Sequence, residues 1–150
     1  MKSWQSDTNG WATMSETMLV DTNVFLRHLL QDIPDHATRA TALLHEANDG
    51  KVALFASVPV FVELTHFLNR TQKVPRKPIV AALLDILGNQ GLSTDHPTAI
   101  REALFLLERH SPLSFPDCFH LALARQLDVT QIYTFDRKMN RYPGITRVEP

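Results

Sequence analysis

The sequence predicts an α/β fold with a mostly parallel central sheet, and three observations carry that expectation. Short apolar runs alternate with stretches of helical periodicity along most of the chain. Polar capping residues or acids stand directly behind several of those runs, where a strand would hand over to a helix. With 150 residues, 44% of them hydrophobic and 21% charged, the chain reads as one domain able to bury about two-thirds of its unfolded surface.

The elements follow in order. Met18–Val20 reads as a buried strand, and a short helix can follow Asp21. Pro34 and Asp35 open a second helix, in which Ala40, Leu43, Leu44 and Ala47 keep helical spacing until Gly50 ends it. "VALFA", from Val52, is the second strand. Ser57 is placed to cap a helix with Pro59 in its first turn, running to about Arg70, and "NRTQKVPRK" forms the next loop. Pro78–Leu87 reads as a helix stopped by Gly88, and Leu92–Thr94 as a short strand. Pro97–Arg109 is strongly helical, with Ile100, Ala103, Leu104 and Leu107 on one face. Ser114 caps a helix over Phe115–Leu127, "QIYTF" makes a strand from Gln131, and "ITRV" adds an edge strand.

Composition excludes more than it selects. The formal net charge is -1 and the isoelectric point about 6.6, so no global positive field marks a nucleic-acid partner. A single cysteine, Cys118, can form neither an internal disulfide nor a multi-cysteine zinc site, which suits a reducing compartment. The longest nearly apolar run, "VALFASVPVFV", contains Ser57 and Pro59 and falls well short of the roughly 20 residues of a membrane span. "MKSWQSDTNGWATMSET" lacks a signal-peptide core, so a cytoplasmic location is expected. Residues 1–17, with Trp4 and Trp11, read as a poorly ordered extension ahead of a domain spanning residues 18–150, and Met14 and Met18 offer alternative starts.

Ligands of an open parallel sheet bind outside the carboxyl ends of its strands. Four acids are expected along that edge: Asp21 behind the first strand, Asp136 behind "IYTF", Glu63 in the helix leaving the second strand, and Asp117 in the first turn of the helix before Gln131. Glu63 lies three residues after Val60 and four before Phe67, and Asp117 four before Leu121, so each borders an apolar stripe. Two carboxylates about 4 Å apart repel by roughly 4 kcal/mol at an effective dielectric of 20, so such a cluster holds protons or recruits a cation. Oxygen ligands without thiolate or paired histidine select Mg²⁺ or Mn²⁺ over zinc. Each acid also has a local reading: Asp117 fits a capping box with Ser114, and Asp21 and Asp136 can be turn or cap residues. Glu63 is the hardest to explain locally, because an acid beside a buried stripe loses hydration.

Four stretches, "MLVDTNVFLR", "VPVFVELTHFL", "SFPDCFHLALA" and "IYTFDRKMNRYPGI", match in order and spacing a known pattern. From Met18 to about Val148 the chain resembles the PIN-domain ribonucleases, specifically the VapC-type toxins of toxin-antitoxin pairs. The resemblance implies a three-layer α/β/α sandwich in which Asp21, Glu63 and Asp117 are principal ligands of one or two Mg²⁺ or Mn²⁺ ions, with Asp136 completing the site or orienting water. It implies RNA as substrate, structured RNA such as tRNA among the candidates, together with a homodimer and a cognate antitoxin protein that holds it inactive. Thr22, Asn23 and Thr134 stand beside these acids, placed to hydrogen-bond metal waters or substrate phosphate or to serve only as caps. Cys118 and Phe119 depart from the small residues of many relatives, which we attribute to packing.

The implied chemistry is attack of water on phosphorus with loss of the 3′ oxygen, leaving a 5′ phosphate. Arg137, Lys138 and Arg141 are the better candidates to hold RNA backbone, ahead of Lys73, Arg76 and Lys77, which solvated loop charge explains as well. His120, one turn from Asp117, is read as a supporting or core histidine rather than a general base, and Cys118 as a buried thiol rather than a nucleophile. A metal-independent ribonuclease, leaving a cyclic phosphate, and a catalytically idle RNA- or protein-binding module are the rival readings. An aspartyl-nucleophile phosphatase is disfavoured because "DTN" lacks its second acid, and no G-x-G-x-x-G supports dinucleotide binding.

Overall fold

The computed structural model describes residues 16–150. The expectation for the leader, with both tryptophans, lies outside the described residues except at its last two positions. The chain divides into two compact units, one formed by the chain up to Leu64 together with Asp85–Asp95, the other by Thr65–Leu84 and His96–Pro150.

The first unit is built on a three-stranded parallel sheet. Its strands are β1 (Thr17–Leu19), β2 (Ala53–Ala56) and β3 (Leu92–Thr94), with β2 in the middle. Met18 pairs with Leu54, and Leu54 with Leu92. The central strand is the driest, Leu54 being 1% exposed. β1 corrects the expectation of a buried strand: Met18 is 65% and Leu19 79% exposed, and only Val20 behind them is buried. The physical reason is its position, since an edge strand has a neighbour on one side only.

Helix α1 (Thr22–Leu30) and helix α2 (Pro34–Asn48) pack together in this unit. α1 buries Phe25 and Leu26 and ends on Gln31 in the left-handed conformation. α2 starts on Pro34, whose missing N–H costs nothing at a first helical position, and buries Ala37, Ala40, Leu44 and Ala47. The small side chain of Ala47 goes with a close approach of the backbone at Gly91. Gly50, at φ +79°, supplies the left-handed residue that stops the helix. Asn89 and Asn48 side chains then tie the turn before β3 to α2, through Asn89 Nδ2 to the Leu44 carbonyl (2.8 Å) and the Gln90 N–H to Asn48 Oδ1 (3.1 Å).

Helix α3 (Val58–His66) leaves β2 and passes directly into a π-helical turn over Phe67–Thr71 that sequence periodicity did not signal. Helix α4 (Arg76–Leu87) begins two residues earlier than expected and buries Ile79, Val80 and Leu83.

In the second unit, α5 (Pro97–Arg109) packs on α6 (Phe115–Gln126). α5 buries the expected face, Ile100, Ala103, Leu104 and Leu107, plus Ala99 and Leu106. α6 opposes it with Phe115, Cys118, Leu121 and Ala122. A second parallel ladder joins β4 (Gln131–Tyr133) to β5 (Thr146–Val148), register Tyr133 with Val148. Parallel neighbours need a long crossover, and residues 134–145 provide it, with a 3₁₀ turn at Arg137–Arg141 anchored by buried Met139 and Tyr142. The fold is therefore α/β with parallel pairing throughout, its strands forming ladders of three and two. No helix among the described residues is long and apolar enough to cross a membrane.

Candidate active site

The first unit carries Asp21 and Glu63 behind the carboxyl ends of two paired parallel strands. Asp21 is the N-cap of α1 (φ -75°, ψ 153°), and its Oδ1 accepts the Thr22 N–H at 2.8 Å, leaving the other carboxylate oxygen unengaged. Thr22 is 5% exposed and Asn23 fully at the surface. Glu63 sits on α3 between buried Phe61 and Leu64, yet its own side chain is exposed. That corrects the expectation that Glu63 loses hydration beside a buried stripe: the buried apolar residues of α3 are Val60, Phe61 and Leu64, and Glu63 falls off that face. Burial therefore gives no argument for a cation at Glu63, while exposure leaves both its oxygens available.

At the end of β3, Thr94 Oγ1 is buried without a hydrogen-bond partner. It ends the third strand of the sheet whose other two lead to Asp21 and Glu63, and a bound water or phosphate oxygen would satisfy it. Sequence reading passed over Thr94; the available signal was a hydroxyl ending a strand at the same edge.

The second unit carries Asp117 and Asp136. Asp117 is the third residue of α6 and closes a reciprocal capping box: the Ser114 N–H donates to Asp117 Oδ2 at 3.0 Å, and the Asp117 N–H to Ser114 Oγ at 3.3 Å. The local role foreseen for Asp117 is thus real, and it occupies one oxygen of two. Asp136 caps the 3₁₀ turn, accepting the Lys138 N–H at 2.9 Å, with Lys138 Nζ 3.7 Å from its second oxygen. Thr134 fixes this turn from the other side, its Oγ1 accepting the Asp136 N–H at 3.0 Å. Thr134 is in turn pinned through its own backbone, its N–H to the Val148 carbonyl (3.0 Å) and its carbonyl to Arg147 Nη1 (3.0 Å).

Among the described residues no three of the histidines, cysteines, aspartates and glutamates stand together as a cluster able to hold a metal ion. The donor chemistry nonetheless suits a hard divalent ion: every candidate donor is a carboxylate oxygen, and Asp21, Glu63 and Asp117 each keep at least one oxygen free of hydrogen bonds. Asp136 is the exception, both its oxygens facing Lys138.

The cations also sort themselves. Arg76 does not belong to a free basic loop: it opens α4, and its Nη1 donates to the Leu107 (3.0 Å) and His110 (3.2 Å) carbonyls, closing the C-terminus of α5. Lys138 is shared with Asp136, whereas Arg137 is exposed and makes no ion pair among the described residues. His120 is exposed, which excludes the core alternative for it and does not touch the supporting one. Cys118 is fully buried, and burial pushes its thiol up to about 12, so it is no nucleophile. Its neighbour Phe119 packs against Phe115 (centroids 6.3 Å) and edge-on to His96 (5.8 Å), which explains both departures by packing.

Between α1 and α2 lies a cleft of about 450 Å³, lined by Asn23, Val24, Arg27, His36, Arg39 and Leu43 among others. Its two arginines are largely spent, Arg27 on Asp32 at 2.6 Å and Arg39 on Asp35 at 3.0 Å, so the cleft presents little net charge.

The family profile for the PIN domain matches residues 18–145. The chain is also similar to VapC ribonuclease Mb1869c of Mycobacterium bovis and to ribonuclease VapC13 of Mycobacterium tuberculosis. Each is 28% identical to it over 132 residues, covering 87% of this chain and 98% of the relative.

Proposed function

The chain belongs to the PIN-domain family, and from that premise we propose that it is a divalent-metal-dependent endoribonuclease. In this reading residues 18–150 are the nuclease domain of a VapC-type toxin. One observation carries it: Asp21, Glu63, Asp117 and Asp136 all lie inside residues 18–145, the stretch the family covers. The similarity to two VapC ribonucleases over nearly their full length supports the choice of RNA.

Asp21, Glu63 and Asp117 would hold Mg²⁺ or Mn²⁺ through the oxygens that hydrogen bonding leaves free, and Asp136, held by Lys138, would serve as an outer partner. When bound, such an ion supplies positive charge that acidifies water and offsets charge building on the phosphate. The chain's own contribution is position. The Asp21 and Asp117 carboxylates are fixed by the caps they make, so little reorganisation is needed to present their remaining oxygens. Asn23, exposed two residues beyond Asp21, would bond water or a phosphate oxygen, whereas buried Thr22 would act by holding Asp21 through its N–H. Thr134 orients Asp136. Arg137, with no acid partner among the described residues, is available to the RNA backbone, and Lys138 and Arg141 are the further basic candidates by their places in the sequence. The substrate class is a structured RNA such as tRNA, the working form a homodimer in the cytoplasm, and the controlling partner a cognate antitoxin protein.

The absence of a three-acid cluster among the described residues favours one second reading, a catalytically idle PIN module that binds RNA or protein. Incubating the purified chain with a fluorogenic RNA separates the two. We expect cleavage with Mg²⁺ or Mn²⁺, 5′-phosphate ends, loss of cutting in EDTA, and loss again in Asp21→Asn with an unchanged circular dichroism spectrum. Cutting that persists in chelator with cyclic phosphate ends refutes the metal mechanism, and no cutting with either metal leaves the idle module as the correct reading.

A further inference from the structure

Phe135 is a large aromatic side chain with 73% of its surface in water. Its neighbours are all accounted for structurally. Thr134 and Asp136 are locked to each other by the bond from the Asp136 N–H to Thr134 Oγ1, and Asp136 is locked onward to the Lys138 N–H. The core contacts of the crossover are made elsewhere, by Met139, Tyr142 and Ile145, each at most 8% exposed, with the Tyr142 hydroxyl donating to Glu102 Oε1 at 3.1 Å. Phe135 thus contributes little to burial in its unit while standing on a backbone that is held on both sides. Tyr133, two residues earlier at the end of β4, is also 75% exposed. The residue on the other flank of Asp136 is Arg137, exposed and without an ion-pair partner among the described residues.

We infer that Phe135 is a nucleobase-stacking residue, which seats an unpaired base of the RNA beside Asp136 of the proposed site. The inference rests on the proposed ribonuclease reading and adds a binding element to it. An exposed aromatic ring one residue from an acid of the proposed site, with an arginine unpaired among the described residues on the far side, combines the two features by which proteins hold single-stranded nucleic acid: a flat apolar face for a base and a cation for the backbone. Stacking tolerates sequence, because every base has a π face, and it requires the base to be unpaired, so Phe135 selects loops and single-stranded segments over duplex. Purines offer the larger face and benefit most.

The test is fluorescence anisotropy of the full-length chain with 5′-labelled oligo(A) and oligo(U) twelve-mers, in Ca²⁺ to limit cleavage, for the wild type and for Phe135→Tyr, Phe135→Leu and Phe135→Ala. Replacing one stacking aromatic by alanine characteristically weakens binding about fivefold or more. We expect a loss of that size for both Leu and Ala, larger on oligo(A), with Tyr close to wild type. The leucine variant separates stacking from simple apolar contact. The proposal is overturned if Leu binds as wild type does, or if the loss is the same on both oligonucleotides. A wild type that cuts RNA while all variants bind equally overturns the stacking role alone; a wild type that neither binds nor cuts RNA overturns it together with the ribonuclease reading.

Discussion

Asp117 caps α6 and, in the proposed reading, also serves the reaction, and mutation can pull the two apart. Asparagine keeps an oxygen where the Ser114 N–H donates at 3.0 Å but removes the charge; alanine removes both. Ser114→Ala does the converse, breaking the 3.3 Å bond from the Asp117 N–H to Ser114 Oγ while sparing the carboxylate. One exposed capping hydrogen bond contributes about 1 kcal/mol, and a negative charge in the first helical turn about 0.3–1 kcal/mol. Asp117→Ala should therefore cost about 1–2 kcal/mol, Ser114→Ala about 1 kcal/mol, and Asp117→Asn about 0.3–1 kcal/mol. In a chain of 150 residues each kcal/mol lowers Tm by roughly 2–4 °C. Thermal unfolding should therefore rank Asn above Ser114→Ala and both above Asp117→Ala. RNA cleavage in Mg²⁺ should rank them differently, with Asp117→Asn and Asp117→Ala both down by about 100-fold or more and Ser114→Ala close to wild type. Activity that follows Tm across all three variants would show that Asp117 serves as a helix cap and nothing else.

Other perturbations test the frame around the site. A Cβ on Gly91 would lie 2.1 Å from the Ala47 carbonyl oxygen and 2.5 Å from its carbon, and backbone of that kind cannot swing aside. Gly91→Ala should cost about 1–3 kcal/mol, visible as a lowered urea midpoint with little change in slope. Cys118, buried and pushed up to about 12, should react with a thiol reagent at pH 8 about 100-fold or more slowly in the native protein than in guanidinium. His28 is lowered from 6.5, first by burial and then by His45, so the fold favours its neutral form. Its contribution to stability is intact above about pH 6.5 and is lost as the pH falls through the lower folded value. His28→Gln should flatten that acid limb in a urea titration between pH 7 and pH 5.

Punctuation made much of the fold legible. Proline at the start and a polar cap in front place α5 at Pro97–Arg109 and α6 from Phe115, where the structure has them. β3 at Leu92–Thr94 is a weaker signal, three residues between polar stretches, and the structure has it at the expected bounds. Local patterns do not report partners, and there the reading fell short. Met18 and Leu19 are apolar like a core strand but occupy an edge. Glu63 is spaced so that either flank of the α3 stripe was open to it, and three-residue spacing alone does not choose. Arg76 looked like loop charge because its acceptors, the Leu107 and His110 carbonyls, lie more than 30 residues away in sequence. For the site, the identity of the acids was readable and their hydrogen-bonding was partly so: the Ser114 and Asp117 box was foreseen, whereas the grip of Lys138 on Asp136 was not.

The π turn at Phe67–Thr71 has a consequence for how this chain tolerates change in length. There the Gln72 N–H reaches back five residues to the Phe67 carbonyl at 3.1 Å, where an α-helix would reach back four. Deleting a residue from an ordinary helix rotates everything downstream by about 100° and turns its apolar face to water. Deleting one here converts the wide turn into a standard one and leaves the flanking segments in phase. Homologous chains one residue shorter are expected to carry their gap at this point, and an engineer shortening the protein should cut here first.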